Sequence, residues 1–348
     1  SLICYLPVNK RATTLRRSTI NCPASESHEM APTKALNALQ ETALKFSDPQ
    51  WTADGSARAT VALKGYSTLW FNTGTLCNLT CRNCYIESSP KNDALVYLTV
   101  GDVKPYLAEV ERNRLPVKEI GFTGGEPFMA PEFIDILELT LRMGFQVLVL
   151  TNAMRPMMKR ARDLIALNNQ YPGQLTMRVS LDHYTPAHHE EERGPRTWAP
   201  SIAGLDWLAE NGFNLHVAGR TCWGESETDA RAGFQRLFSA HGWPINAENP
   251  AELVLFPEMD LNADVPEITT ACWGILDKDP GDIMCATSRM IVRRKGAEKP
   301  AVIACTLLPY DPQFELGPTL KDASKDVSLN HPFCATFCVL GGASCSAD

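Results

Sequence analysis

Six short apolar runs, "STLWFN", "KEIGFTG", "FQVLVLT", "TMRVSL", "LHVAG" and "ELVLF", recur through the middle of the chain with helical segments between them. Each is rich in β-branched or large apolar residues and most end at Thr, Gly or Asn, which predicts six buried strands. In "PEFIDILELTLRMG", Pro131 opens a helix, Phe133, Leu137 and Leu141 share one face, and Gly144 stops it. "PSIAGLDWLAENG" repeats the pattern, with Pro200 opening, Ile202, Leu205 and Leu208 inward, and Gly212 closing. Strands alternating with amphipathic helices imply βαβ units and a parallel sheet. Six units fall short of an eight-stranded barrel, so the expected fold is α/β, a partial and open (β/α)6 barrel.

The chain of 348 residues has room for such a barrel and a smaller domain. The predicted division is an N-terminal extension over 1–55, disordered and then helical around Ala31 to Phe46, a barrel over 56–261, and a cysteine-rich domain over 262–348. A net charge of -7 argues against a nucleic-acid partner. No run reaches the length of an apolar membrane span, so the expectation is a soluble, cytoplasmic protein. Residues 1–29 carry Lys10, Arg11, Arg16 and Arg17 before the first acid at Glu26. That composition fits a disordered extension, a start site upstream of Met30, or an organelle transit peptide. Twelve cysteines without an apolar signal core favour metal ligation in a reducing compartment over a disulfide framework.

In parallel α/β folds ligands sit beyond the carboxyl ends of the strands. Cys77 to Cys84 follow the first run, Gly124 to Glu126 the second, Thr151 and Asn152 the third, Ser180 and Asp182 the fourth, and Arg220 the fifth. All of these loops are expected to face one cavity. The first reads "CNLTCRNC", with Cys77, Cys81 and Cys84 spaced Cys-x3-Cys-x2-Cys and no fourth cysteine beside them. A structural zinc site takes four protein ligands, whereas a catalytic metal keeps a position open. Thiolates so spaced bind zinc or iron-sulfur clusters, and on a 4Fe-4S cube three of them leave one iron free for an outside chelator.

"CNLTCRNC" resembles the signature of the radical S-adenosylmethionine (radical SAM) superfamily, in which the amino and carboxylate groups of SAM chelate that fourth iron. "FTGGEP" is similar to the family's GGE motif, "LTN" fits the third strand's end, and "VSLDH" followed by Arg193 and Gly194 resembles the region after the fourth strand. The resemblance spans residues 66 to 260. It implies that Gly124 and Gly125 let backbone approach SAM, that Glu126 lies near the methionyl amino group, and that Ser180 and Asp182 lie near the ribose or carboxylate. Asn152, Arg193 and Tyr85 complete the implied cofactor set. Asn83 departs from the family, which often has an aromatic residue before the third cysteine. The implied chemistry is reductive cleavage of SAM, driven by an external one-electron donor of flavodoxin or ferredoxin type. The resulting 5′-deoxyadenosyl radical takes hydrogen from a small-molecule or peptide substrate.

The spacing Cys285-x10-Gly296-x8-Cys305, then Cys334-x3-Cys338-x6-Cys345, is similar to the superfamily's SPASM and twitch extensions. That resemblance implies one auxiliary 4Fe-4S cluster, held by Cys285, Cys305 and Cys345 with Cys334 or Cys338; Cys272 is a sixth candidate, and a zinc site is the alternative. Cys222 reads as a small buried hydrophobe, with hydrogen donation to a substrate radical as its functional alternative. His183, His188 and His189 are expected in a solvated loop, and Glu258 and Asp260 either face the cavity or end the sixth strand. The competing reading of the whole chain is a non-catalytic iron-sulfur electron carrier or zinc protein.

Overall fold

The structure is a computed structural model that describes residues 45–260 and 263–342. Residues 1–29, most of the helix expected around Ala31 to Phe46, and Cys345 lie outside the described residues.

The six apolar runs form six parallel strands: β2 (Thr68–Asn72), β3 (Glu119–Thr123), β4 (Gln146–Thr151), β5 (Leu175–Ser180), β6 (Asn214–Arg220) and β7 (Leu253–Phe256). Helices α1 (Val100–Asn113), α2 (Phe133–Arg142), α3 (Arg155–Met158), α4 (Ala161–Gln170), α5 (Pro186–Arg193), α6 (Trp198–Glu210) and α7 (Glu227–His241) lie between them in sequence. Every residue of β2 is buried, as expected of strands covered on both faces. Phe71 stacks on Phe122 at 5.7 Å between ring centroids, and Phe133 meets Phe122 edge-on at 5.4 Å, which ties α2 to the sheet. On the opposite face of β2 the Trp70 ring fills the barrel interior. Gly121 makes room for it, because a Cβ there would lie 2.4 Å from the indole.

The sheet does not stop at the expected boundary near residue 261. Strand β8 (Ser288–Val292) lies parallel to β2, pairing Thr68 with Ser288 and Phe71 with Ile291. Antiparallel β9 (Ala301–Ile303) and β10 (Glu315–Gly317) follow, so one nine-stranded sheet runs β10-β9-β8-β2-β3-β4-β5-β6-β7. A separate ribbon pairs β1 (Thr60–Val61) with β11 (Val327–Ser328). The cysteine-rich tail thus extends the barrel sheet.

Two helices differ from expectation. Helix α6 begins at Trp198, so Pro200 sits inside its first turn, where the missing N–H costs no helical hydrogen bond. Helix α1 was not read from the sequence. A capping box opens it, with Thr99 accepting from Asp102 N and Asp102 accepting from Thr99 N, and Arg114 closes it in the left-handed conformation at φ 50°. No helix among the described residues is long and apolar enough to cross a membrane.

Candidate radical SAM site

The ends of β2 to β6 meet around a cavity with an empty volume of about 1020 Å³. Cys77, Cys81 and Cys84 all line it, together with Tyr85, Gly124, Gly125, Asn152, Ser180, Asp182 and Arg193. Parallel strands of matched register bring loops from distant sequence positions to one rim. The same register explains why motifs separated by a hundred residues converge.

The cysteine loop is held from several sides. Cys77 N donates to Ser89 O at 3.1 Å, while Leu79 N donates to Cys77 Sγ at 3.4 Å and Ser88 N to Cys84 Sγ at 3.3 Å. Backbone N–H groups aimed at sulfur favour the thiolate and tune any cluster it holds. Burial pushes the Cys77 thiol up to about 12 and raises Cys81 as well, so these two thiols without metal stay protonated at neutral pH.

Gly124 and Gly125 pack under this loop. A Cβ on Gly125 would lie 2.2 Å from Leu76 O, and one on Gly124, at φ +136°, 2.6 Å from Gly74 O. Their lack of side chains therefore serves close stacking of the GGE loop beneath the cysteine loop. Glu126 is not among the residues lining the cavity. Its buried carboxylate accepts from Thr151 Oγ1 at 2.9 Å and from Asn152 N at 2.9 Å, locking the loop after β3 to the loop after β4. Desolvation raises this carboxylate to about 7.

Asp182 is buried and pairs with two arginines, Arg193 through Nε and Arg220 through Nε at 3.3 Å. Burial opposes its charge, but the two guanidiniums win and hold its carboxyl below the usual range. Arg220 also donates to Asn83 O at 2.7 Å, and its guanidinium lies 4.6 Å from the Tyr85 ring centroid. Glu192 was missed by the sequence reading. This carboxylate, 3% exposed, accepts from Asn83 N at 2.7 Å and Asn83 Nδ2 at 3.0 Å, and its backbone oxygen accepts from Arg82 N at 2.8 Å. Asn83 thus acts as a hydrogen-bonded hook between Cys81 and Cys84. The sequence signal was a carboxylate one residue before Arg193.

Two of the three histidines are not solvated, while His188 on helix α5 is partly exposed. Helix α5 turns His189 inward, fully buried against Trp198, and His183 is buried with its Nε2 2.8 Å from Glu225. Amphipathic spacing decides this: His189, Glu192 and Arg193 share the inner face of α5. Cys222 is half-buried and, like Glu258 and Asp260, does not line the cavity; both acids are exposed.

The tail brings four more thiols together. Cys285 precedes β8, Cys305 follows β9, and Cys334 and Cys338 lie one turn apart on the π-helical segment Cys334–Val339. All four line a largely apolar cavity of about 380 Å³ with Met284, Phe314 and Phe333. Cys272 is disulfide-bonded, which removes it from the candidate ligands. Leu307 lines both cavities, so the tail walls off the first one.

The family model described as the radical SAM superfamily matches residues 71–232. The chain carries a radical SAM domain. The antilisterial bacteriocin subtilosin biosynthesis protein AlbA of Bacillus subtilis (strain 168) is 31% identical over 143 residues, 41% of this chain and 30% of AlbA. The mycofactocin maturase MftC of Mycobacterium ulcerans (strain Agy99) is 29% identical over 137 residues, 39% of this chain and 35% of MftC. The chain spans about a third of the length of these curated relatives. Streptococcus suis SuiB bound to S-adenosylmethionine shares the fold, with a TM-score of 0.53 at 13% identity, over 74% of this chain and 64% of SuiB.

A radical SAM domain takes a 4Fe-4S cluster and SAM, and the residues here fit both. Among the described residues no three His, Cys, Asp or Glu side chains converge on a point where a single metal ion would sit. The thiols of each set line one cavity. Three thiols line the first cavity, with no fourth among the described residues, which fits a cluster with one iron left open, and the four that line the second fit an auxiliary cluster. At that second site Cys334 and Cys338 both line the cavity with Cys285 and Cys305, where the sequence reading chose one of the pair; its other choice, Cys345, lies outside the described residues.

Proposed function

We propose that the protein is a radical SAM enzyme that abstracts hydrogen from a small-molecule or peptide substrate. The observation that carries the proposal is the convergence of Cys77, Cys81 and Cys84, with no fourth cysteine among the described residues, on the same cavity as Gly124, Gly125, Asn152, Ser180, Asp182 and Arg193. When bound, the cluster and SAM would supply a 5′-deoxyadenosyl radical and methionine for one electron from an external donor of flavodoxin or ferredoxin type. The chain's residues hold, orient and shield that pair. The three thiolates hold the cluster, and the GGE loop supports the cysteine loop from below. Asp182, fixed by Arg193 and Arg220, presents a charged oxygen at the rim, and Tyr85 lines the wall beside the third cysteine. Leu307 and Thr306 from the tail, with Phe256 and Leu150, exclude water that would quench a radical.

The test is anaerobic reconstitution with iron and sulfide, reduction with dithionite, addition of SAM and assay of 5′-deoxyadenosine, beside a Cys81→Ala control. Product from the wild type and none from the control supports the proposal. A fully loaded wild type that makes none, and whose cluster spectrum ignores SAM, would leave an electron carrier or a zinc protein instead.

A further inference from the structure

The short helix α3 and the start of α4 carry four cations close together in sequence, Arg155, Lys159, Arg160 and Arg162, against one acid beside them, Asp163. Arg155, Lys159 and Arg162 are exposed and Arg160 is half-buried. None of the four forms an ion pair with another described residue, whereas Arg82, Arg231 and Arg294 each pair with a glutamate. Lys159 N donates to Arg155 O at 3.1 Å, so these two cations stand one helical turn apart on one face. Among them Met158 is 36% exposed, while Met157 is fully buried and anchors the turn. The patch also adjoins the cysteine loop. Helix α3 starts beyond the carboxyl end of β4, and just before it Met154 Sδ lies 4.0 Å from Asn78 Nδ2. Asn152 Nδ2 donates to Asn78 Oδ1 at 2.9 Å. Asn78 directly follows Cys77, and between it and Cys81 Leu79 is half-buried and Thr80 exposed, so the loop shows an outer face beside the patch.

We infer that Arg155, Lys159, Arg160 and Arg162, with Met158 among them, form the docking surface for an acidic flavin-carrying electron donor, an inference that rests on the radical SAM reading. That reading needs one electron from outside for each SAM cleaved. Electrons pass between proteins only over short gaps, so the donor has to dock against the loop that holds the cluster. Charge then selects the face. The whole chain carries -7, so an acidic partner is repelled by most of the surface and steered to a local basic patch. A flavin bound in an acidic carrier shows its apolar dimethylbenzene edge, and an exposed methionine ringed by cations offers a soft apolar contact inside a polar rim. So small a patch suits the weak, quickly exchanging interfaces of electron transfer, below about 1,200 Å². One electron leaves the donor's reduced flavin for the cluster site of Cys77, Cys81 and Cys84, and no atom crosses the interface.

The experiment titrates the anaerobically loaded protein with oxidised flavodoxin and reads binding by biolayer interferometry at about 0.01 M and about 1 M salt, where charges are felt over about 30 Å and about 3 Å. It then compares 5′-deoxyadenosine formation driven by reduced flavodoxin with that driven by dithionite, which is small and needs no docking. Arg155→Glu with Lys159→Glu, and separately Arg162→Glu, reverse the patch, so loss of folding in one still leaves the other. The control is Arg112→Glu with Arg142→Glu, exposed cations in the last turns of α1 and α2, near the amino ends of β3 and β4. At low salt the double reversal should weaken flavodoxin binding about tenfold and Arg162→Glu about threefold, while the control binds as wild type does. High salt should erase these differences. Flavodoxin-driven product should fall with binding, and dithionite-driven product should stay within about twofold of wild type. Four results would overturn the inference alone: no flavodoxin binding by loaded wild type, reversals that bind it no worse than the control, reversals that slow both reductants equally, or reversals that spare flavodoxin while releasing a 2Fe-2S ferredoxin or an acidic hexaglutamate peptide. A loaded wild type that makes no product with dithionite, and whose spectrum ignores SAM, overturns the functional reading and this inference with it.

Discussion

Glu192→Ala should loosen the cluster loop more than it destabilises the protein. The carboxylate holds both the backbone and the side-chain amide of Asn83, between two of the three cluster cysteines, and stands 3.8 Å from Arg220. Removing one partner of a buried charged set costs about 3–5 kcal/mol, because Asn83 N and Asn83 Nδ2 are left without their acceptor and Arg220 keeps Asp182 as its one carboxylate. About 1.4 kcal/mol is a tenfold change, so even a third of that loss, felt locally, accelerates iron release about tenfold. The assay is iron release from the loaded protein into a colorimetric chelator under anaerobic conditions, beside a urea unfolding midpoint of the metal-free protein. Glu192→Gln keeps an oxygen for Asn83 N but opposes its own NH2 to Asn83 Nδ2, and should fall between wild type and alanine. If Glu192→Ala lowers the unfolding midpoint yet releases iron at the wild-type rate, Glu192 is a structural residue and the clamp argument fails.

Gly125→Ala should abolish cluster loading, since its Cβ would lie 2.2 Å from Leu76 O in the cysteine loop; iron content and circular dichroism together separate this from unfolding. Cys285→Ala or Cys338→Ala should lower iron from about eight to about four atoms per chain while the SAM-induced change in the reduced-cluster spectrum persists. Acid should destabilise the protein between pH 6.5 and about 4 through His189 and His216, whose burial lowers each to about 4. In that window the unfolded chain takes up protons that the folded one refuses, so stability is full above pH 6.5 and is lost as pH falls toward 4. His189→Leu should flatten part of that slope in thermal midpoints measured across the range.

The parallel strands were legible because their signal is local: a short run of large apolar or β-branched residues, most often ended by a turn residue. The first cysteine motif was legible because its spacing alone restricts the chemistry. Contacts that depend on distant pairing were not. Nothing in "SRMIV" says that it will lie beside β2, more than two hundred residues earlier. The Glu192 hook on Asn83 spans a similar gulf of 109 positions, and an inward carboxylate reads in sequence as one more acid in "HHEEER". The Thr99 to Asp102 capping box was within reach and would have found α1. Two of the histidines were misplaced because polarity was weighed above helical periodicity.

The pairing of β8 with β2 also sets an order of events. The first barrel strand cannot complete its hydrogen bonding on one side until the chain has been made as far as Val292, so the sheet's centre is finished late. Pairing over so long a loop is slow, and meanwhile β2, with Leu69, Trp70 and Phe71 at its centre, offers an open edge to any passing strand. A barrel cut before residue 288 would keep that edge permanently. Its fate is aggregation, whatever the merits of its active-site residues, and co-expression with the missing tail is the way to rescue it.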